Sequence, residues 1–234
     1  MKKPTISFKL LFFFIFTIII VLNSKIKSTS DDKSANYSPP VEIKYFLFGY
    51  NEVFADTLWL RIIQNPDLCE VHHIPKGGPR TGINRIADCT KSWVYHMLDT
   101  TVEVAPRFHA PAQYGPMFLS VLVDDIEGAT LLFEKVLPLY PTDWQLYFQA
   151  GTHHLRETGD FQKAAKYYEV AAKNGAPKWV YALSANLYKK SGQAMAGKIL
   201  IEQFLKDAPD DFYGRSRLET RLKEINEELA KAEE

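Results

Sequence analysis

Cys69 and Cys89 are the only two cysteines of the chain and the residues most able to do chemistry. In an oxidising compartment they would form a disulfide that closes a loop of about 20 residues and stabilises the fold by about 3 kcal/mol. A zinc site is an alternative, since His72 and His96 could complete a set of four ligands. Cys89 and His96, however, would lie two helical turns apart, about 10 Å. This favours the disulfide without a metal, and leaves zinc and free thiols as alternatives.

The sequence contains no recognisable catalytic arrangement. Gly-x-Ser-x-Gly, His-Glu-x-x-His and a phosphate-binding glycine loop are all absent from it. His153 and His154 are adjacent, so on a helix they point in different directions and cannot chelate one ion. We therefore expect a non-enzymatic protein with no cofactor and no small-molecule substrate.

The secondary structure can be predicted from a sequence pattern that repeats at a period of about 34 residues. One copy begins at Gly159 and a looser copy at Gly192. Each has a glycine turn, a small residue, a large apolar residue and a closing proline, which is typical of stacked helical hairpins. Gly159 should end one helix and Asp160 should cap the next. The pattern predicts an all-α fold.

These motifs resemble the tetratricopeptide repeat (TPR) family. The best unit carries family positions at Phe148, Gly151, Leu155, Gly159, Phe161, Ala164, Tyr168, Ala171 and Pro177. The next carries Tyr181, Ala185, Tyr188, Gly192, Gly197, Ile201 and Pro209, with Gly197 where the family prefers alanine. A weaker earlier unit has Ala129, Phe133 and Pro141 but lacks the glycine turn. The resemblance implies a right-handed solenoid of helical hairpins with a C-terminal capping helix.

The resemblance also implies a concave groove that binds a partner protein. Its lining would be Tyr114, Phe118, Gln149, His153, Arg156, Ala182, Asn186, Lys189 and Lys190. Aromatic residues at one end, with cations and amides at the other, suit an extended peptide that has an apolar anchor and an acidic end. Residues 34–234 carry 22 basic and 26 acidic side chains. A mildly acidic body argues against nucleic acid as the partner.

The N-terminus predicts export. Lys2, Lys3 and Lys9 precede an apolar run over residues 10–22. This is typical of a signal peptide or signal anchor, and we favour the anchor slightly. The positive-inside rule then places the body in the periplasm, for a bacterial source. Cleavage, with release into the periplasm, is the alternative. Residues 23–40 are polar and should form a flexible tether.

The remaining chain divides into an N-terminal helical hairpin with a long inserted loop (41–106), TPR-like repeats (107–210) and a capping helix (211–234). A helix over residues 45–65 is apolar on nearly all sides, which predicts burial between neighbours; docking to a membrane partner is the alternative. We expect a membrane-tethered scaffold that supports assembly of a cell-envelope complex, such as a pilus or secretion machine. The alternatives are a structural subunit of a larger membrane complex and a metal or redox protein that uses the Cys69 loop.

Overall fold

The computed structural model describes residues 16–17, 37–64, 91–209 and 212–232. It divides the chain into two units, residues 1–37 and 38–234, and nearly all described residues belong to the second. The predicted disulfide between Cys69 and Cys89 lies outside the described residues, as do the inserted loop and most of the apolar run over residues 10–22. Within the described ranges, no helix is both long and apolar enough to cross a membrane.

The described part of residues 38–234 consists mainly of α-helices. It contains α1 (Asn51–Gln64), α2 (Trp93–Val104), α3 (His109–Phe118), α4 (Ile126–Val136), α5 (Trp144–His153), α6 (Phe161–Lys173), α7 (Trp179–Lys190), α8 (Ala194–Asp207) and α9 (Arg215–Ala232). A short 3-10 helix, Val41–Phe46, precedes α1. No strand occurs in the ranges that are described. The predicted all-α fold is confirmed.

Packing is mostly between helices that follow one another in the chain. α1 packs on α2, α3 on α4, and each helix from α5 to α8 packs on the next one. One apolar core joins α1 to α5, a second joins α6, α7 and α8, and a third joins α7, α8 and α9. Because each core is shared by neighbouring helices, no single hairpin buries its apolar face alone.

The same turn recurs before α2, α4, α6 and α8. A residue in the left-handed region stands directly before the N-cap in each case: Lys91 (φ 55°), Asp124 (φ 67°), Gly159 (φ 68°) and Gly192 (φ 78°). The side chains of Ser92, Asp125 and Asp160 accept a backbone hydrogen bond as N-caps of α2, α4 and α6. The predicted breaks near Gly159 and Gly192 and the cap at Asp160 are confirmed.

The first helix differs from its prediction in two respects. It begins at Asn51 rather than near residue 45, because Phe48 and Gly49 both have positive φ angles and interrupt the helical backbone. It is also not surrounded by neighbours: within α1, only Ala55, Leu58 and Ile62 are buried. The prediction that this segment is buried on most faces is therefore wrong.

A buried carboxylate joins the starts of α2 and α4. Asp125 is fully buried, and its oxygens accept hydrogen bonds from the backbone N–H groups of Gly128 (2.8 Å), Ser92 (2.6 Å) and Lys91 (3.2 Å). One side chain thus caps its own helix and also holds the turn that precedes α2. Gly128 leaves the necessary room, since a Cβ atom there would lie 2.4 Å from the Asp125 carboxylate.

Replacement of Asp125 by alanine should lower the free energy of unfolding by about 3 kcal/mol, because it strands buried N–H donors at two helix starts. The matched control is Asp160→Ala, which removes one exposed cap bond to the Lys163 N–H (2.9 Å) and should cost about 1 kcal/mol. Urea denaturation measures both losses. Equal losses would contradict the role assigned to Asp125.

Replacement of Gly197 by alanine should destabilise the fold by 1 kcal/mol or more, although alanine favours a helix by about 1 kcal/mol. The added Cβ would lie 2.8 Å from the backbone oxygen of Ala185 and 3.2 Å from its Cα, so α7 and α8 would have to separate. Thermal melting measures the effect. The exposed neighbouring change Ala196→Leu should leave the melting temperature almost unchanged, and a Gly197→Ala variant that melts higher would show that the helix contact is not tight.

Candidate functional site

A first hollow, of about 430 Å³, crosses three alternate helices. Gln113 and Tyr114 come from α3, four residues come from α5 (Trp144, Gln145, Phe148 and Gln149), and Pro177 and Trp179 come from the start of α7. We call this surface the aromatic hollow. It contains aromatic rings and amides but no charged side chain.

Helix geometry explains why α5 supplies half of the aromatic hollow. Its four residues occupy positions i, i+1, i+4 and i+5, which lie on one side of a helix. Asp143 fixes where α5 begins, because its carboxylate accepts hydrogen bonds from the N–H groups of Gln145 (3.0 Å) and Leu146 (3.2 Å). Trp144 therefore stands in the first turn, and the neighbouring helix α7 begins with Trp179.

Contacts between side chains fix the walls of the aromatic hollow. Gln113 Nε2 donates a hydrogen bond to Gln145 Oε1 across α3 and α5 (3.0 Å). Phe148 meets Trp179 edge to face, with ring centroids 5.7 Å apart. The Oε1 atom of Gln149 is buried without a hydrogen-bond partner. The hollow thus offers fixed aromatic rings for apolar groups.

A second hollow, of about 760 Å³, lies between α7 and α9. Pro177 and Trp179 line this hollow as well as the first, so the two hollows are adjacent and share a wall; together we call them the groove. The second part contains the cations Lys178, Arg217 and Arg221 together with Phe212 and Tyr213, and we call it the cationic hollow.

The cations of this hollow lie close to aromatic rings and one carboxylate. Arg217, Arg221 and Glu224 share a face of α9 at spacings of four and three residues. The Nε atom of Arg221 is buried without a hydrogen-bond partner. Lys178 Nζ lies 5.6 Å from the ring centroid of Phe212. Arg221 Nη1 forms an ion pair with Glu224, so Lys178 and Arg217 are the cations that would attract a carboxylate or another anionic group.

Three of the residues predicted for the groove line it. Tyr114 and Gln149 belong to the aromatic hollow and Ala182 to the cationic hollow. About half of the Tyr114 side chain is exposed and accessible to a ligand.

The other predicted groove residues lie elsewhere. Phe118 packs against the first core and Asn186 is half-buried in α7. Lys189 Nζ forms an ion pair with Glu228 of α9 (2.6 Å), and Lys190 Nζ lies 5.9 Å from the ring centroid of Phe161. Arg156 is exposed on the π-helical turn His154–Thr158. None of these residues lines either hollow.

His153 is a core residue rather than a groove residue, which corrects the prediction. Only 1% of it is exposed, and both ring nitrogens have partners: Ser120 Oγ at 3.0 Å from Nδ1 and Thr130 Oγ1 at 2.8 Å from Nε2. Because the Thr130 hydroxyl donates to the Ile126 carbonyl (2.9 Å), it accepts from His153 Nε2–H. Burial, with a smaller contribution from His154, lowers the pKa of His153 to about 3.

His154 is also buried and belongs to the same structural layer. Its ring lies against Tyr167, with centroids 5.4 Å apart, and its Nδ1 is 3.1 Å from Thr158 Oγ1. Burial, followed by the nearby charge of Lys163, lowers the pKa of His154. No group of three or more metal-binding side chains comes together among the residues that the structure describes.

Sequence reasoning missed most of the aromatic and basic residues of the groove, among them Trp144, Phe148, Trp179, Arg217 and Arg221. A signal for the first three exists in the sequence: Trp144 and Trp179 are 35 positions apart, and Phe148-Gln149 follows Gln113-Tyr114 by the same interval. The two arginines have no such signal, because α9 has no equivalent position in an earlier unit.

Acid should destabilise the fold through His153. Its pKa is lowered in the folded state, so the stability due to its neutral ring is complete above the unfolded value near 6.5 and is lost as the pH falls toward 3. Between pH 7 and pH 5 this should amount to about 2 kcal/mol. Urea denaturation at the two pH values should show a smaller loss for His153→Gln. The exposed change His96→Gln should leave the loss intact, and an unchanged loss in His153→Gln would contradict the assignment.

Comparison with protein-family models, with curated proteins and with solved structures finds no match to this chain.

Proposed function

We propose that this chain is a non-enzymatic scaffold with a TPR-like architecture, a right-handed solenoid of helical hairpins. The hairpins would be α1 with α2, α3 with α4, α5 with α6, and α7 with α8. The recurrent turn supports this reading, because a left-handed residue and an N-cap return at Lys91, Asp124, Gly159 and Gly192. Lys91 and Asp124 occupy the position that glycine occupies in the two later turns. We therefore assign the hairpins α1 with α2 and α3 with α4 to the same series of repeats as the two later hairpins.

In this proposal α9 caps the solenoid. Leu218 and Ile225 of α9 are buried in the third core with Ala185 and Ile201. The rest of α9 is rich in charged residues, including Arg215, which pairs with Glu219. One apolar edge and a polar outer face are what the last helix of a solenoid needs to stay soluble.

The single observation that carries the proposed activity is the groove, the two adjacent hollows that are lined by α3, α5, α7 and α9. The first helices of three successive proposed hairpins, α3, α5 and α7, line it together with the capping helix α9. A groove of this form suits an extended segment of another protein. The aromatic hollow would take apolar side chains and main-chain groups, and the cationic hollow would take an acidic portion of the same segment.

The cellular setting in this proposal comes from the N-terminal sequence. The apolar run over residues 10–22 would anchor the chain in the bacterial inner membrane, with the body in the periplasm; release after cleavage is the alternative. There the groove would hold a partner during assembly of a cell-envelope complex, possible examples being a pilus or a secretion machine. A structural role inside a larger membrane complex is the second candidate, and the exposed apolar residues near α1 favour it over a redox role.

Peptides selected from a random library against the full chain in detergent test the groove. Trp179→Ala should weaken binding of a selected peptide by tenfold or more, because Trp179 lines both hollows. Arg217→Glu should weaken acidic peptides most, with a smaller effect in high salt. Fluorescence anisotropy gives the dissociation constants.

Lys166→Glu is the matched control for this test, since Lys166 is exposed on α6 and lies outside both hollows. It should change the dissociation constant by less than about twofold. Lys189→Glu is a poor probe, because it would place two carboxylates together at the Lys189–Glu228 pair. Equal losses in Lys166→Glu and Arg217→Glu would refute the groove assignment.

A further inference from the structure

Residues 45–63 expose an unusual concentration of apolar side chains. Seven of them are 50% to 89% exposed: Tyr45, Phe46, Phe48, Tyr50, Val53, Leu60 and Ile63. We call this set the apolar face. Single exposed apolar residues are common on proteins, but seven within 19 consecutive residues are unusual and favour contact with something apolar.

The backbone is strained within the apolar face. Phe48 has a φ angle of 47°, and Gly49 follows with 89°. A bulky residue in the left-handed region costs about 1 kcal/mol or more. Phe48 gains no burial in return, since 89% of it is exposed. Backbone strain that buries nothing inside the protein is explained if the ring is buried against something outside it.

The charges around the apolar face indicate a neutral surface as its partner. Residues 38–64 contain Glu42, Glu52 and Asp56 but only two cations, Lys44 and Arg61. Lys44 pairs with Glu103, and the Arg61 guanidinium lies 5.4 Å from the ring centroid of Trp93. Anionic lipids or an acidic protein would find no free positive patch here. Phenyl and phenol groups together favour the boundary between lipid tails and head groups.

The position of the apolar face in the chain also favours a lipid surface. It begins 23 positions after the apolar run over residues 10–22 ends. A chain of that length reaches at most about 80 Å even when fully extended. If the run is inserted in a bilayer, the apolar face cannot move far from the lipid surface, and weak apolar contacts then suffice to hold it there.

We propose that the apolar face docks on the surface of a bilayer of neutral phospholipids. Phe46, Phe48 and Val53 contact the acyl chains, and the hydroxyls of Tyr45 and Tyr50 stay at the head groups. This inference rests on the membrane tether of the proposed function. It is independent of the peptide groove, because no residue of the apolar face lines either hollow.

Photocrosslinking of the full chain in phosphatidylcholine vesicles tests the docking. Benzoylphenylalanine replaces Phe48 in one sample and Tyr213 in the other, since Tyr213 is an aromatic residue that is also fully exposed (101%). Vesicles are collected by flotation and irradiated, and mass spectrometry counts phospholipid adducts. The Phe48 position should give at least fivefold more lipid adducts than the Tyr213 position. The yield should be the same at low and at high salt, because apolar contacts are not screened.

Three results would overturn the docking. They are adducts from position 48 mainly to a second copy or to another part of the same chain, equal lipid adducts from both positions, and a strong fall in yield with salt. Flotation separates this failure from that of the tether: a chain that floats without lipid adducts at position 48 is tethered but not docked. A chain that does not float with the vesicles refutes the tether and the docking together, and leaves the peptide groove to its own test.

Discussion

The hydrogen bonds of the Asp125 carboxylate are the constraint on which the N-terminal half of the fold depends. Three backbone N–H groups, from two turns of the same kind, share this one buried side chain. It joins the starts of α2 and α4, and both of these helices pack on α3. The position of Gln113 and Tyr114 in the aromatic hollow is therefore a consequence of a helix cap that lies outside the groove.

The regular part of the fold could be predicted from the sequence because each determinant is local. Gly159 and Asp160 directly indicate a turn and a helix cap, and the small residue Ala164 is buried. The turn at Asp124 could not be predicted from a glycine, because aspartate occupies its left-handed position. Aspartate tolerates this conformation but does not by itself indicate it. The start of α1 was predicted wrongly for a similar reason: Phe48 has a positive φ angle, which its residue type disfavours.

The groove was harder to predict because it depends on which side of each helix meets another helix. The prediction placed His153 in the groove, but Ser120 and Thr130 satisfy its ring within the core. Lys189 has a suitable charge, yet its ion pair with Glu228 uses that charge between α7 and α9. These partners are 23 to 39 positions distant in sequence. Only the folded arrangement brings them together. Residue type and spacing alone therefore could not distinguish a core residue, a residue that pairs between helices and a residue that lines the groove.

The shared position of Trp179 links the two hollows thermodynamically. Its indole forms a wall of both, and the neighbouring Phe148 ring restrains it from the aromatic side. A ligand that turns this indole changes the shape of both hollows at once, so occupancy of one alters the affinity of the other by the same factor in either direction. If the groove binds a segment as proposed, a short ligand in one hollow would act as an effector of the other, and a segment that fills both would bind with a coupling energy that neither half possesses alone.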